Sequence, residues 1–393
     1  MNIKHRLSLL GLAAALCAAA PAFAHEDLKL KAWLASQPAS ATLPYEDAQL
    51  QAQLANLWQE LGEGARAERL FAQSRQASAA VREPYVQDLL MGHLANELAS
   101  GANFERALQT LDAVRDGEVW VKTAWKLVGK LAKAGRRDEA AALLKRTEAR
   151  AQATEEPMLR AELLSGTGAS YRYIDKAHGE NLVYEAYGIA QMLADPYERA
   201  LMYNETGAHL MDIGHRELAL QVFAQVEQRL VPQIKSPLQQ AKALAMLGGE
   251  QAEKNLRERA VSALDQGRAI ALRLPEGEDR AEVLSEIARN YGQSHRFEPG
   301  IATAGAIADP YHRIEGRIRI AKNMARTGHK DGALAQLALA ETEARQVSKP
   351  HLRATVLRKL ASEHIALGAK PHARALLGQA EAAIAAPARV AGV

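Results

Sequence analysis

The feature that most restricts how this chain can fold is a break that returns about every forty residues. In GKLAKAGRRDEAAALL, Gly129 to Leu144, a single glycine, Gly135, stands between two runs whose apolar residues fall at helical spacing. Similar breaks occur at Gly62, Gly101, Gly214, Gly328 and Gly368, with polar substitutes around Asp175 to Gly179, at Asn255 and at Ser294-His295. Neighbouring breaks lie roughly 34 to 41 residues apart, which is room for two helices and their turns. Each unit is then a helical hairpin that buries its apolar face on its neighbours. One array of such units can run the length of the chain without dividing it into domains.

A second set of marks falls between the units, at Pro44, Pro84, Pro157, Pro196, Pro237, Pro310 and Pro350, with PEGED (275–279) and RDGE (115–118) filling the gaps. Proline suits the first turn of a helix, where its missing N–H has no partner to lose. Asp195 and Asp309, directly before Pro196 and Pro310, are placed to accept from the first free N–H groups. In the third unit Ala124, Leu127, Val128 and Leu131 share one face of the first helix, and Ala140, Leu143, Leu144 and Thr147 one face of the second. Small residues recur where the helices of a hairpin cross, which allows axes to approach to roughly 8–10 Å. The two glycines of GGEQAEKN (248–255) read as close helix approach of this kind.

Three units carry a small residue, a turn glycine, an alanine five residues on and a large apolar residue four later. They are Gly207, Gly214, Ala219 and Phe223; Ala321, Gly328, Ala333 and Leu337; and Ala361, Gly368, Ala373 and Leu377. This pattern resembles the tetratricopeptide repeat (TPR) family, and units can be followed from about Tyr45 to Ala383. The resemblance implies an all-α fold, a right-handed α-solenoid of about nine TPR-like helix-turn-helix repeats. It also implies a binding scaffold rather than an enzyme, with a protein or peptide partner lying against first helices that line a concave groove. Most units run near forty residues where the family has about 34, so second helices or loops must be longer. The fourth unit, YRYIDKAHGENLVYEAYGIA, fits worst, which points to an inserted loop.

Setting each turn in register places Leu89, Gly92, His93 and Asn96 on the concave face of the second unit, and Lys122, Trp125, Lys126, Gly129 and Lys133 on that of the third. Asn204 and Glu205 follow in the fifth, and Arg358, Lys359 and Ser362 in the ninth. Lys122, Lys126, Lys130, Lys133 and Arg137 recur at steps of three and four, a cationic stripe beside Trp125. Such a stripe can clamp an acidic side chain or a C-terminal carboxylate, although a solvated helix face produces the same pattern. Six of the ten tyrosines lie between Tyr171 and Tyr203; Tyr171 and Tyr203 sit at packing steps, while Tyr173 and Tyr187 are better placed to meet a partner. The candidate partner-binding residues are therefore Lys122, Trp125, Lys126, Lys133, His93, Asn96, Tyr173 and Asn204.

The search for chemistry is negative: the chain has no HExxH, GxSxG, phosphate-cradling loop or repeated CxxC. No catalytic residue, metal ligand or cofactor is assigned. His364 and His372 are eight residues apart across a turn, a spacing that does not stack two imidazoles on one helix. A rival reading is an all-helical envelope enzyme, a lyase or hydrolase of polysaccharide, using an acid pair such as Glu282 and Glu286 or a Tyr–His pair drawn from Tyr171, Tyr173 and His178. A third is self-association through the edges of the array or a helix around Leu28, Leu30, Trp33 and Leu34.

The N-terminus reads as a cleavable secretory signal. Lys4 and Arg6 precede the apolar LSLLGLAAALCAAA, and Ala22-Phe23-Ala24 suits signal peptidase. Cleavage after Ala24 would remove Cys17, the one cysteine, and leave 47 basic against 46 acidic residues, a balance unlike that of a nucleic-acid binder. No later apolar run is long enough to span a membrane. The expected organisation is a signal peptide over 1–24, an N-terminal capping helix over 25–43, the repeat array over 44–383 and a short tail over 384–393, in a periplasmic or secreted protein.

Overall fold

The computed structural model describes residues 39–385, together with Leu30 and Trp33. The signal segment, nearly all of the expected capping helix before residue 39 and the end of the tail lie outside the described residues. The described chain forms eighteen α-helices in nine consecutive pairs. They are α1 (Ala39–Glu60) with α2 (Gly64–Ala80), α3 (Pro84–Ser100) with α4 (Phe104–Asp112), and α5 (Gly117–Lys133) with α6 (Arg137–Gln152). Then come α7 (Pro157–Tyr171) with α8 (Lys176–Met192), α9 (Pro196–Ile213) with α10 (Arg216–Gln225), and α11 (Pro237–Glu253) with α12 (Arg257–Ala271). The last three pairs are α13 (Glu278–Gln293) with α14 (Phe297–Gly305), α15 (Pro310–Arg326) with α16 (Lys330–Ala344), and α17 (Pro350–Ala366) with α18 (Lys370–Ala385). This is an all-α helical-repeat fold, laid out as the TPR-like pattern implies.

The punctuation works as the sequence suggests. Asp195 accepts from the backbone N–H groups of Tyr197 (2.8 Å) and Glu198 (2.9 Å), and Asp309 from His312 (2.9 Å). Left-handed backbone occurs at Gly62, Gly135, Gly214, Asn255, His295, Gly328 and Gly368. In the second hairpin it falls on Ala102 (φ 59°) and not on Gly101. Gly101 answers a different need, since a Cβ there would meet Gln59 Oε1 at 3.0 Å. Pro44 also departs from its expected place, lying within α1 because that helix already begins at Ala39.

The fourth hairpin holds no inserted loop: α7 and α8 are joined by a short turn in which Asp175 caps α8 by accepting from His178 N–H at 3.1 Å. Its poor match comes from unusually close packing instead. A Cβ built on Gly179 would lie 2.4 Å from Gly168 O, so backbone faces backbone where most other hairpins place an alanine. Gly179→Ala must push the two helices apart, and we expect a loss of about 1–3 kcal/mol in urea unfolding. A variant as stable as wild type would show that this crossing is loose.

Every odd-numbered helix packs against the odd-numbered helices before and after it, and the row closes, because α17 packs on α1. The seam is built like the internal junctions. Tyr171 on α7 donates to Glu148 on α6 at 2.7 Å, Tyr291 on α13 to Asp265 on α12, and His364 on α17 lies 2.6 Å from Glu341 on α16. Each donor stands four residues before its turn, and so does Trp58, whose Nε1 donates to Glu381 on α18. Arg66 reaches the same carboxylate at 3.0 Å, and Arg374 donates to Leu61 O at 2.9 Å. On the inner side His351 lies 2.7 Å from Asp47 and 3.3 Å from Glu46. Apolar packing continues across the seam, with Leu54, Phe71, Leu360 and Leu377 in one core. The concave groove expected from an open solenoid is therefore the lumen of a closed ring.

Candidate functional site

The odd helices put polar residues into this lumen, where several charges pair with groups on another helix. Lys122 lies 2.9 Å from Glu162 on α7 and 2.7 Å from Glu118. Glu286 pairs with Arg289 and lies 3.5 Å from Arg319, while Glu315 pairs with Lys359 and lies 3.6 Å from Arg319. Asp212 holds Lys254 at 2.7 Å and Arg172 at 3.1 Å. Long charged side chains thus cross-link successive hairpins.

Enclosure by protein shifts the groups whose nearby opposite charges are absent or too weak to offset burial. Burial lowers the His93 imidazole to about 4, helped by Lys126, and lowers His209 to about 3. Burial raises Glu250 to about 8 and Glu205 well above the carboxylate range, with Glu162 and Glu250 adding repulsion at Glu205. His93, His209 and Glu205 retain some accessible surface, whereas the Glu250 side chain is buried. Burial would lower Lys122, but Glu162 and Glu118 outweigh it and hold the ammonium charged.

The residues picked from sequence are spread over this wall rather than gathered into one site. Lys122 is not an open clamp, since two carboxylates occupy its ammonium. Trp125 is a packing residue: its Nε1 donates to Thr167 Oγ1 at 3.0 Å, and a Cβ on Gly166 would strike its ring at 2.6 Å. Asn204 is fully buried and donates to Ala243 O at 3.0 Å, which ties α9 to α11 and removes it from any concave surface. Asn96 is held by Lys130, which also donates to Asn96 O at 2.7 Å. Tyr173 is half-buried with the Arg172 guanidinium over its ring at 4.8 Å, and its Oη accepts from Arg172 at 2.8 Å. His93 lies 3.5 Å from Gln49, and Lys126 and Lys133 are exposed.

The acid pair of the enzyme reading is likewise engaged, Glu286 by arginines and Glu282 with Lys242 at 3.9 Å. Tyr171 and His178 do come together on Glu148, at 2.7 and 2.9 Å. Tyr171 is buried in a hairpin junction, however, and burial and its bond to Glu148 raise its phenol, opposite to what a catalytic base needs.

Open space lies at the seam. A cleft of 1180 Å³ runs along the loops that begin the seventh, eighth and ninth hairpins (276–281, 306–312 and 346–349) and reaches Glu46 of α1. It shares Glu46, Tyr311 and Leu352 with an inner cavity of 280 Å³ lined by Tyr45, Gln49, Gln53, His351, Arg358 and Lys359. Arg358 Nε is buried and meets no hydrogen-bond partner among the described residues, and burial lowers its guanidinium despite Glu97 and Glu315 nearby. Arg358 and Lys359 belonged to the concave face read from sequence. Tyr45 and Tyr311 did not, because only ring closure brings α1 opposite α15 and α17.

No protein-family model and no curated protein matches the chain. Among solved structures it is similar to Ton1535 from Thermococcus onnurineus NA1, with 14% identity and a TM-score of 0.40 over 75% of this chain and 99% of that one. It is similar also to aspartyl phosphate phosphatase F from Bacillus subtilis (12%, TM-score 0.32, covering 88% and 95%). A third similar structure is a Rap protein complexed with competence and sporulation factor (15%, TM-score 0.33, covering 86% and 99%).

Proposed function

We propose that the chain is an exported, TPR-like scaffold that binds a protein or peptide segment at the seam of its ring. The observation that carries this reading is Arg358, which lines a cavity that opens into the larger cleft while its own Nε is buried without an acceptor. A buried guanidinium N–H without an acceptor is costly, and a carboxylate or peptide carbonyl entering the cavity would relieve it by drawing the guanidinium round toward it. The outer cleft exceeds the roughly 300–1,000 Å³ usual for small-molecule pockets, which suits an extended segment. Loop backbone and the Tyr45 and Tyr311 rings offer it mixed polar and apolar contact. The work is non-covalent, and a preformed ring limits the ordering cost on its own side. Lys4 and Arg6 before an apolar run that ends in Ala22-Phe23-Ala24 support a periplasmic or secreted setting for this work.

The test is photo-crosslinking in the source cells, with a photoreactive residue at position 311 or at position 192, where Met192 is 84% exposed on an outer helix. We expect one partner to be captured from position 311 and not from 192, by protein recovered from the envelope fraction with His25 at its N-terminus. Arg358→Ala should weaken that partner's binding at least about tenfold, the equivalent of one lost charged hydrogen bond. Adducts from position 192 alone, or an Arg358→Ala variant that binds as wild type, would refute the seam as the binding site.

A further inference from the structure

The ninth hairpin carries a second site of a different kind. His364 in the last turn of α17 and His372 in the first turn of α18 are eight residues apart, and the tight turn between them sets their rings face to edge with centroids 4.5 Å apart. Glu341, near the end of α16, reaches both. Its Oε1 lies 2.6 Å from His364 Nε2 and 3.0 Å from His372 Nε2. The three side chains offer one ligand atom each, all within 4.8 Å of one another. His364 is buried, Glu341 half-buried and His372 exposed, so the group is anchored on one side and open to solvent on the other.

The fourth hairpin shows what this arrangement looks like when hydrogen bonding alone is required. There Glu148 takes the place of Glu341, His178 that of His372, and Tyr171 that of His364. The Tyr171 and His178 rings are 4.7 Å apart at 79°, against 4.5 Å and 81° in the ninth hairpin. A phenol satisfies the junction fully in the fourth hairpin. In the ninth an imidazole replaces it, and His364 Nδ1 is left buried without a partner. The exchange gains nothing for the junction and adds a second nitrogen ligand.

We infer that Glu341, His364 and His372 form a zinc site. Two imidazoles and one carboxylate are a borderline donor set that suits zinc and disfavours magnesium and calcium, which take oxygen ligands. Bonds of about 2.0–2.1 Å around a tetrahedral ion put ligand atoms roughly 3.3–3.5 Å apart, so Glu341 Oε1 draws back by about 0.7–0.9 Å from His364 and about 0.3–0.5 Å from His372 to admit it. Half-buried Glu341 and His372, at an exposed helix start, supply that movement around the fixed His364. In the metal-free protein both Nε2–H groups donate to Glu341; on binding, zinc replaces those two hydrogens and each ring carries its proton on Nδ1. Water fills the fourth position. Because His364 Nδ1 has no acceptor to fix the metal-bound tautomer, the site is of moderate affinity, tens-fold weaker than one with a complete outer shell. The ion would tie the eighth hairpin to the ninth, beside the ring seam.

The test titrates the purified full chain, with Cys17→Ser to remove its thiol, with zinc alone against a competing chromophoric chelator. We expect one zinc to be lost on His364→Tyr and on His372→Ala, with affinity falling at least tenfold, while His178→Ala binds as wild type. His364→Tyr copies the junction of the fourth hairpin, so an unchanged circular dichroism spectrum separates ligand loss from unfolding. Zinc should also raise the melting temperature of wild type and not of His364→Tyr. The inference is overturned if wild type binds no zinc at 100-fold excess, if both ninth-hairpin variants keep it, or if His178→Ala loses it.

Discussion

Trp58→Ala will lower the stability of the ring by about 3–5 kcal/mol, the usual loss on truncating a buried tryptophan. Trp58 is 3% exposed, its indole N–H is bonded to Glu381, and the Arg66 guanidinium stacks on its ring at 3.9 Å. Trp120, also buried and stacked under Arg146 and Arg150, should cost a similar amount when changed to alanine. The two differ in consequence, because Trp120 lies within the third hairpin and Trp58 joins the first to the ninth. A gentler variant isolates that difference. Glu381→Ala leaves no large cavity but strands the Trp58 N–H and the Arg66 head, at a cost of about 1–3 kcal/mol. Spin labels at positions 60 and 379, both exposed beside the seam, should show a narrow distance distribution in wild type that broadens and lengthens in Glu381→Ala. A distribution that stays narrow while stability falls would mean that the ends are held without these bonds, and the closed ring would need another cause.

Much of the fold is legible because its signals are local. A capping aspartate, a proline in a first turn and a glycine or asparagine in left-handed backbone act within a few residues, so the hairpins can be counted from sequence. The shift from Gly101 to Ala102 shows the limit, since a glycine placed for close approach looks like one placed for a turn. Ring closure is not legible, because Trp58 and Glu381 are 323 residues apart and nothing in either stretch specifies the other. The lysine stripe misleads for a related reason. Periodicity puts Lys122 on an accessible face, but Glu162, one hairpin on, neutralises it. Asn204 fails similarly, being fully buried with its amide N–H given to the backbone of the neighbouring hairpin. The histidines of the ninth hairpin are the reverse case, dismissed on helical spacing yet united by the turn that separates them.

Stability should depend on pH with a plateau and two falling limbs, and the lumen groups set the limbs. Glu250 holds its proton in the folded ring up to about pH 8, whereas the unfolded chain releases it near 4.5. Between those values the folded state binds more protons, so stability falls as pH rises. The groups facing Glu250 are Glu253 and Asp212, which add to the upward shift, and Lys254 and Arg289, which oppose burial without overcoming it. Glu205, raised by burial and by Glu162 and Glu250, acts in the same direction. His93 and His209 act oppositely: folded they release their protons at about 4 and about 3, unfolded at 6.5, so their penalty grows as pH falls below 6.5. From 4.5 to 6.5 the two effects offset each other, and above 6.5 the glutamates act alone. Each pH unit is worth about 1.4 kcal/mol per proton, so Glu250 removes about 2 kcal/mol between pH 6.5 and 8. Glu250→Gln keeps the shape and discards the titration. Its urea midpoint should match wild type at pH 4.5 and exceed it at pH 8, and equal slopes for the two proteins from pH 6.5 to 8 would show that water in the lumen already solvates this carboxylate.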